Sequence, residues 1–116
     1  MSLAERVAEV PEQFEYRNAS TATLLKESGY LARPDDLKVA DVENVLTRHQ
    51  DLADRWFQRG HDQQLVGGWG LERCGGRWRV QSYGSGNAML EKDRLHACAE
   101  FIVRYVGFIR LVLGRY

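Results

Sequence analysis

Apolar residues between positions 41 and 58 recur at spacings of three and four, the period of an amphipathic helix. We place Asp41 at the N-cap of this helix and Gly60 at its end. His49-Gln50-Asp51 could also cap a new helix, so one bent helix and two short helices both fit. The residues on the apolar stripe are Val42, Val45, Leu46, His49, Leu52, Ala53, Trp56 and Phe57.

Two shorter helices are predicted before this segment. Residues 2–10 fit a helix that Ser2 caps and that Pro11 keeps from continuing. Residues 20–28 fit a second helix, with Ser20 as its cap, Leu24 and Leu25 turned inward and Gly29 just after its end. Arg33-Pro34-Asp35-Asp36 has the composition of a turn.

A β-hairpin is predicted over residues 66–83. Gly75-Gly76 suits a two-residue turn, because the favoured hairpin turns need positive φ at these positions. This turn sets the register, and the predicted pairs are Leu71 with Val80, Arg73 with Trp78, and Glu72 with Arg79. The first pair shares the apolar face with Trp69, whereas Glu72 and Arg79 form a favourable charge pair on the opposite face.

The last third of the chain is predicted as a loop or short third strand over 84–90, followed by a long helix over 91–113. Its main apolar stripe contains Cys98, Ile102, Tyr105, Ile109 and Val112. Phe108 and Leu111 intrude on its polar side, so the end of the helix is nearly all apolar. We expect that end to be buried on several sides or to meet a partner. A terminal strand over 101–112 is the less favoured alternative.

These elements predict one small α+β domain over residues 1–116, with N-terminal helices, a central antiparallel hairpin and a long C-terminal helix. A length of 116 residues fits one domain. The formal net charge is zero, which argues against a nucleic-acid partner or a membrane surface. The first ten residues do not resemble a signal peptide, and residues 101–113 are too few to span a bilayer. We therefore expect a cytoplasmic protein.

Charge is distributed unevenly along the neutral chain. Residues 1–58 contain 11 acidic and 7 basic residues, a net charge of −4. Residues 59–116 contain 5 acidic and 9 basic residues, a net charge of +4. The first half could therefore present an acidic surface to a basic partner.

The sequence contains no recognisable catalytic or metal-binding motif, and we predict no metal and no cofactor. His49 is read as a core histidine and His61 as a loop residue. His96 and Cys98 lie two positions apart on a helix and so point in different directions. Cys74 is expected to be a free thiol at the hairpin tip.

The stretch from Leu46 to Tyr105, with LTRHQDLADRWFQRG, GGWGLER and DRLHACAEFIVRY, resembles small bacterial proteins of uncharacterised or immunity type. The resemblance covers about half of the chain and rests on core-type residues. It implies an α+β domain in which a helix ending in Trp precedes a strand containing Gly-Trp. It also implies the absence of a catalytic constellation, since immunity proteins act by binding toxins.

We therefore predict a protein-binding module without enzymatic activity, which neutralises a bacterial toxin by occlusion. The expected contact residues are Asp35, Asp36, Glu43, Asp51, Asp54, Glu72, Arg77, Arg79 and Tyr83. Two alternatives stay open. One is a structural or regulatory homodimer formed through the helix Phe101 to Leu113. The other is a small enzyme that would require His61, Cys74 and His96 to converge in space.

Overall fold

The computed structural model of the chain describes residues 2–17, 21–62, 69–82, 86 and 88–113. These residues form an α+β fold with a three-stranded antiparallel sheet in the order β1-β2-β3, which confirms the predicted class. The helices are α1 (Leu3–Ala8), α2 (Val10–Arg17), α3 (Thr21–Ser28), α4 (Val39–Arg48), α5 (Gln50–Asp62) and α6 (Arg94–Leu113). The strands are β1 (Trp69–Cys74), β2 (Arg77–Ser82) and β3 (Ala88–Glu91).

The N-terminal helices follow local signals. Ser2 and Glu5 form a reciprocal capping box, in which each side chain accepts a hydrogen bond from the other residue's backbone N–H at 3.2 Å. The first helix ends at Ala8, before the predicted end at residue 10, and the prediction that Pro11 prevents further helix is wrong, because Pro11 lies in the first turn of α2. Proline is tolerated in the first turn of a helix, where its missing N–H has no partner to lose.

The third helix ends as predicted. Leu24 and Leu25 are buried, and Gly29 adopts a φ of 88°, a conformation that favours glycine. Ser20, the predicted cap, lies outside the described residues. The predicted turn after α3 is a single 3-10 turn over Pro34–Asp36.

The segment between 39 and 62 forms two helices rather than one bent helix, which is the second of the two predicted alternatives. His49 separates them with a φ of −135° and a ψ of 72°, and its side chain is exposed, so its prediction as a core residue is wrong. The predicted ends are wrong as well. Lys38 rather than Asp41 is the N-cap of α4, and α5 continues through Gly60 and His61 to Asp62.

The predicted hairpin register is confirmed. Leu71 pairs with Val80, Glu72 with Arg79, and Arg73 with Trp78. Both turn glycines have positive φ, 52° at Gly75 and 77° at Gly76. Residues 88–91 add the third strand, which pairs antiparallel with β2 and so resolves the choice between loop and strand.

The long helix α6 lies against the sheet and against α4 and α5. It begins at Arg94, three residues later than predicted, because Asp93 Oδ1 accepts hydrogen bonds from the N–H groups of Leu95 and His96 at 2.9 and 3.1 Å. Its buried stripe contains Cys98, Phe101, Ile102, Tyr105 and Val106. Phe108 and Leu111 are exposed, so the structure does not bury them on several sides, and contact of this end with a partner stays a prediction.

Trp56 lies at the centre of the core and is fully buried. Its indole packs edge-on against Phe101 and Tyr105, with ring centroids 6.2 and 6.0 Å away. Its Nε1–H donates a hydrogen bond to the backbone oxygen of Ala8 at 2.8 Å. One side chain of α5 therefore joins α1 to α6.

Among the described residues, no helix combines the length and the apolar character that crossing a membrane requires.

Candidate protein-binding surface

A polar groove of about 350 Å³ opens between the start of α1, the 3-10 turn and one side of α4. We call it the acidic groove. Asp36 comes from the turn, and Asp41, Asn44 and Arg48 come from α4. Residues 41, 44 and 48 share one side of the helix because they are three and four positions apart. The groove is lined by Ser2, Leu3, Ala4, Asp36, Asp41, Asn44, Val45 and Arg48.

The two carboxylates of the acidic groove are exposed. Within the described part of the chain, neither Asp36 nor Asp41 forms an ion pair. The groove's one lining cation, Arg48, donates from Nε to the backbone oxygen of Asn44 at 3.4 Å. The groove can therefore accept positive charge from a partner.

Arg48 also acts on α1. Hydrogen bonds with Ser2 lower the pKa of Glu5 below its ordinary value, and the charge of Arg48 lowers it further. The cation at this end of the groove thus already serves a carboxylate of its own chain.

The other predicted acidic contact residues do not all share this surface. Asp35 is exposed in the same turn as Asp36. Asp51 is exposed on α5 and forms no ion pair with another described residue. Asp54 is paired with Arg94 of α6, and Glu43 points from α4 towards His96 of α6.

The predicted contact residues of the hairpin lie on a separate surface. Glu72 and Arg79 form the expected ion pair with each other across β1 and β2. Arg77 is exposed near the turn, and Tyr83 lies outside the described residues. The nine predicted residues therefore include two in or beside the groove, three acidic residues on other helical surfaces and three on the sheet.

Asn44 and Arg48 were missed as candidate site residues, and Asp41 was predicted as a helix cap rather than as a contact residue. The signal that could have found them is their spacing from Asp41 on the polar side of an amphipathic helix. Asp36 could not be assigned to the same groove from the sequence, because its position depends on how the turn packs against α4.

The enzyme alternative depends on residues that the structure describes only in part. Cys74 is an exposed free thiol and Cys98 a buried one, and burial raises the pKa of the Cys98 thiol above its ordinary value. Cys74 forms no hydrogen bond or ion pair within the described part of the chain. The side chain of His61 lies outside it. No group of histidine, cysteine and acidic residues in the described ranges is arranged to hold a metal ion.

Comparison of the chain with protein-family models, with curated proteins and with solved structures gives no match. The resemblance to immunity-type proteins stays a prediction from the sequence.

Proposed function

We propose that the protein is a binding module that docks on a basic surface of a protein partner through the acidic groove. The observation that carries the proposal is the pair of exposed carboxylates, Asp36 and Asp41, which line a concave surface without an ion-pair partner among the described residues. Glu43, Asp54 and Glu72 differ because each already faces a basic group of the same chain.

The chemistry of the groove favours a lysine or arginine side chain as the inserted group. Carboxylates in a concave site focus the electrostatic field and raise the local concentration of cations. The guanidinium of arginine matches a carboxylate with two parallel hydrogen bonds, which adds direction to the attraction. Such complementarity mainly increases association rate and specificity, and added salt weakens it.

The narrower form of the proposal is that the partner is a bacterial toxin, which the protein neutralises by occlusion. This form depends on the resemblance of the stretch from Leu46 to Tyr105 to immunity-type proteins. An inhibitor that acts by occlusion needs a complementary surface and no reactive group of its own. The acidic groove provides a surface suited to a basic toxin.

The test is capture of the partner from source-cell lysate, followed by affinity measurements on the purified pair. The test variant is Asp36→Asn with Asp41→Asn. The matched control is Asp51→Asn, which neutralises an exposed aspartate of α5 outside the groove. We expect the double variant to bind at least about tenfold more weakly, equivalent to about 1.4 kcal/mol, and the control to bind like the natural protein.

Equal binding by the double variant would contradict the proposal, as would the recovery of no partner at low salt. A partner with toxin activity that the protein inhibits would support the narrower form. A partner without such activity would still support a binding module but would contradict the neutralisation of a toxin.

A second candidate function is the homodimer, which the exposed end of α6 favours. Phe108 is 37% exposed and Leu111 is 59% exposed, and both are large apolar side chains. A second copy could cover them through a symmetric contact. Sedimentation at micromolar concentration distinguishes a monomer of 13.3 kDa from a dimer of twice that mass.

A further inference from the structure

His96 is surrounded by carboxylates that come from three different elements. Its Nδ1–H donates a hydrogen bond to Glu43 Oε1 of α4 at 2.6 Å. Its Nε2 lies 3.7 Å from Glu100 Oε1, one turn further along α6, and 3.9 Å from Glu91 Oε2 at the end of β3. We call these four residues the histidine cluster.

Arg104 fixes the orientation of Glu100 from the side opposite His96. Its second oxygen, Oε2, accepts a hydrogen bond from Arg104 Nε at 3.2 Å. Arg104 also lies over the ring of Trp69, 5.3 Å from its centroid, and donates to Met89 Sδ at 3.5 Å. Glu100 is therefore held between two basic side chains and keeps one oxygen towards His96.

The excess negative charge around the histidine cluster is smaller when His96 is protonated. Three carboxylates face one imidazole, and the other cation in contact with them is Arg104, which is engaged with Glu100. Loss of the imidazolium charge would leave like charges close together in a partly buried site, which is unfavourable. The side chain of His96 is 36% exposed, so protons can exchange with water.

We propose that His96 is a pH-sensitive latch, which in its protonated form ties α4 and β3 to the start of α6 and holds them more weakly when the imidazolium loses its proton. The proposal stands on the convergence of Glu43, Glu91 and Glu100 from three elements onto one ring. It does not depend on the acidic groove or on a partner.

The electrostatic setting of His96 agrees in direction with the latch. The hydrogen bond to Glu43 raises the pKa of His96 above its ordinary value, partial burial opposes this, and the charges of Glu43, Glu91 and Glu100 raise it further. These three carboxylates, from α4, β3 and α6 respectively, are the charged groups of the described residues that act on the ring.

The direction of the pH effect follows from linkage. A histidine whose pKa is higher in the folded state than in the unfolded state stabilises the fold below the unfolded value, about 6.5. That contribution is lost as pH rises through the folded pKa. The contacts of His96 therefore stabilise the fold most in mildly acidic solution, and this stabilisation is lost on the alkaline side.

The first experiment is an NMR titration of the histidine rings in the full chain. The His96→Gln variant assigns the resonance of His96, and His49 is the internal reference because its exposed side chain forms no hydrogen bond or ion pair with a described residue. We expect the midpoint of His96 to lie above 6.5, with the backbone amides of Glu43 and Glu91 following the same midpoint. Glu43→Gln should lower that midpoint.

The second experiment measures urea unfolding of the natural protein, His96→Gln and the matched control His49→Gln at about pH 6 and about pH 9. We expect His96→Gln to raise the unfolding constant more at the lower pH. Each unit by which the midpoint exceeds 6.5 corresponds to a tenfold change in this effect. His49→Gln should have the same effect at both values.

A midpoint of His96 at or below 6.5 in the natural protein would overturn the latch, even if His96→Gln did not fold. Equal effects of His96→Gln at the two pH values would also overturn it. Failure of the docking experiment, in contrast, would leave both measurements unchanged, because neither of them involves a partner.

Discussion

The two sides of α4 use carboxylates in opposite ways. On the side that faces α1, Asp41 lies in the acidic groove with Asp36, and neither forms an ion pair with another described residue. On the side that faces α6, Glu43 accepts a hydrogen bond of 2.6 Å from His96. Two acidic residues, two positions apart on one helix, therefore face different electrostatic environments.

This difference separates charges that support the fold from charges that are available to a partner. Glu43 links α4 to a neighbouring helix, so its charge is already used in the folded chain. Asp36 and Asp41 have no such link to another described residue, and two like charges that line one groove do not stabilise the isolated protein. A binding surface is expected where charge is exposed, concave and uncompensated.

Both sides of α4 are expected to rest on one core that contains Trp56. Trp56→Ala tests this expectation, and it has the largest expected effect on the free energy of unfolding. We expect a loss of about 3–5 kcal/mol in the free energy of unfolding, the usual cost of truncating a buried tryptophan. The residue is fully buried, packs on Phe101 and Tyr105, and donates to the Ala8 oxygen at 2.8 Å. The measurement is urea unfolding followed by circular dichroism.

Trp56→Phe is the matched control for this prediction. It keeps an aromatic ring in the core but removes the hydrogen bond to Ala8, so its cost should be clearly smaller than that of the alanine variant. A loss below about 1 kcal/mol for Trp56→Ala would show that α1 and α6 do not share one cooperative core.

The comparison itself is tested by neutralising one carboxylate on each side, as Glu43→Gln and Asp36→Asn. We expect Glu43→Gln to lower the free energy of unfolding by about 1 kcal/mol at about pH 6, because it weakens a partly exposed charged hydrogen bond. Asp36→Asn should stay within about 0.5 kcal/mol of the natural protein. Both are measured by urea unfolding.

The pH dependence sharpens this second prediction. The raised pKa of His96 means that its pair with Glu43 loses strength as pH rises through that pKa. The cost of Glu43→Gln should therefore shrink at about pH 9, while that of Asp36→Asn should not change. Equal costs for the two variants at both values would refute the distinction between the two sides of α4.

Elements defined by short-range signals were predictable from the sequence. The Gly75-Gly76 turn determines the register of the hairpin, because a two-residue loop leaves only one pairing for the residues on either side. The capping residue Ser2 and the terminal Gly29 likewise act within a few positions of the chain. Each of these features is observed in the structure.

Features that depend on packing were not predictable. The histidine cluster joins Glu43 to His96, 53 positions apart, and only the packing of α4 on α6 brings them together. The spacing of His96 and Glu100 could have indicated one of its ion pairs. The ends of α4 and α5 were wrong because Asp41 and Gly60 have suitable chemistry for helix ends, whereas Val39 packs against the core before Asp41 and α5 continues to Asp62.

The smallest expected effect on stability is that of the ion pair Glu72–Arg79 on the sheet. Like Glu43, Glu72 faces a basic group of the same chain, but this pair contains no histidine. A double-mutant cycle with Glu72→Gln and Arg79→Gln should give a coupling of about 0.2–1 kcal/mol, as expected for a cross-strand pair whose side chains are 29% and 37% exposed. The coupling should fall with added salt and stay constant between about pH 6 and pH 9, since the pair contains no histidine. Urea unfolding of the four proteins measures it. A coupling that followed pH as the Glu43 effect does would show that the pH response belongs to the whole fold rather than to His96.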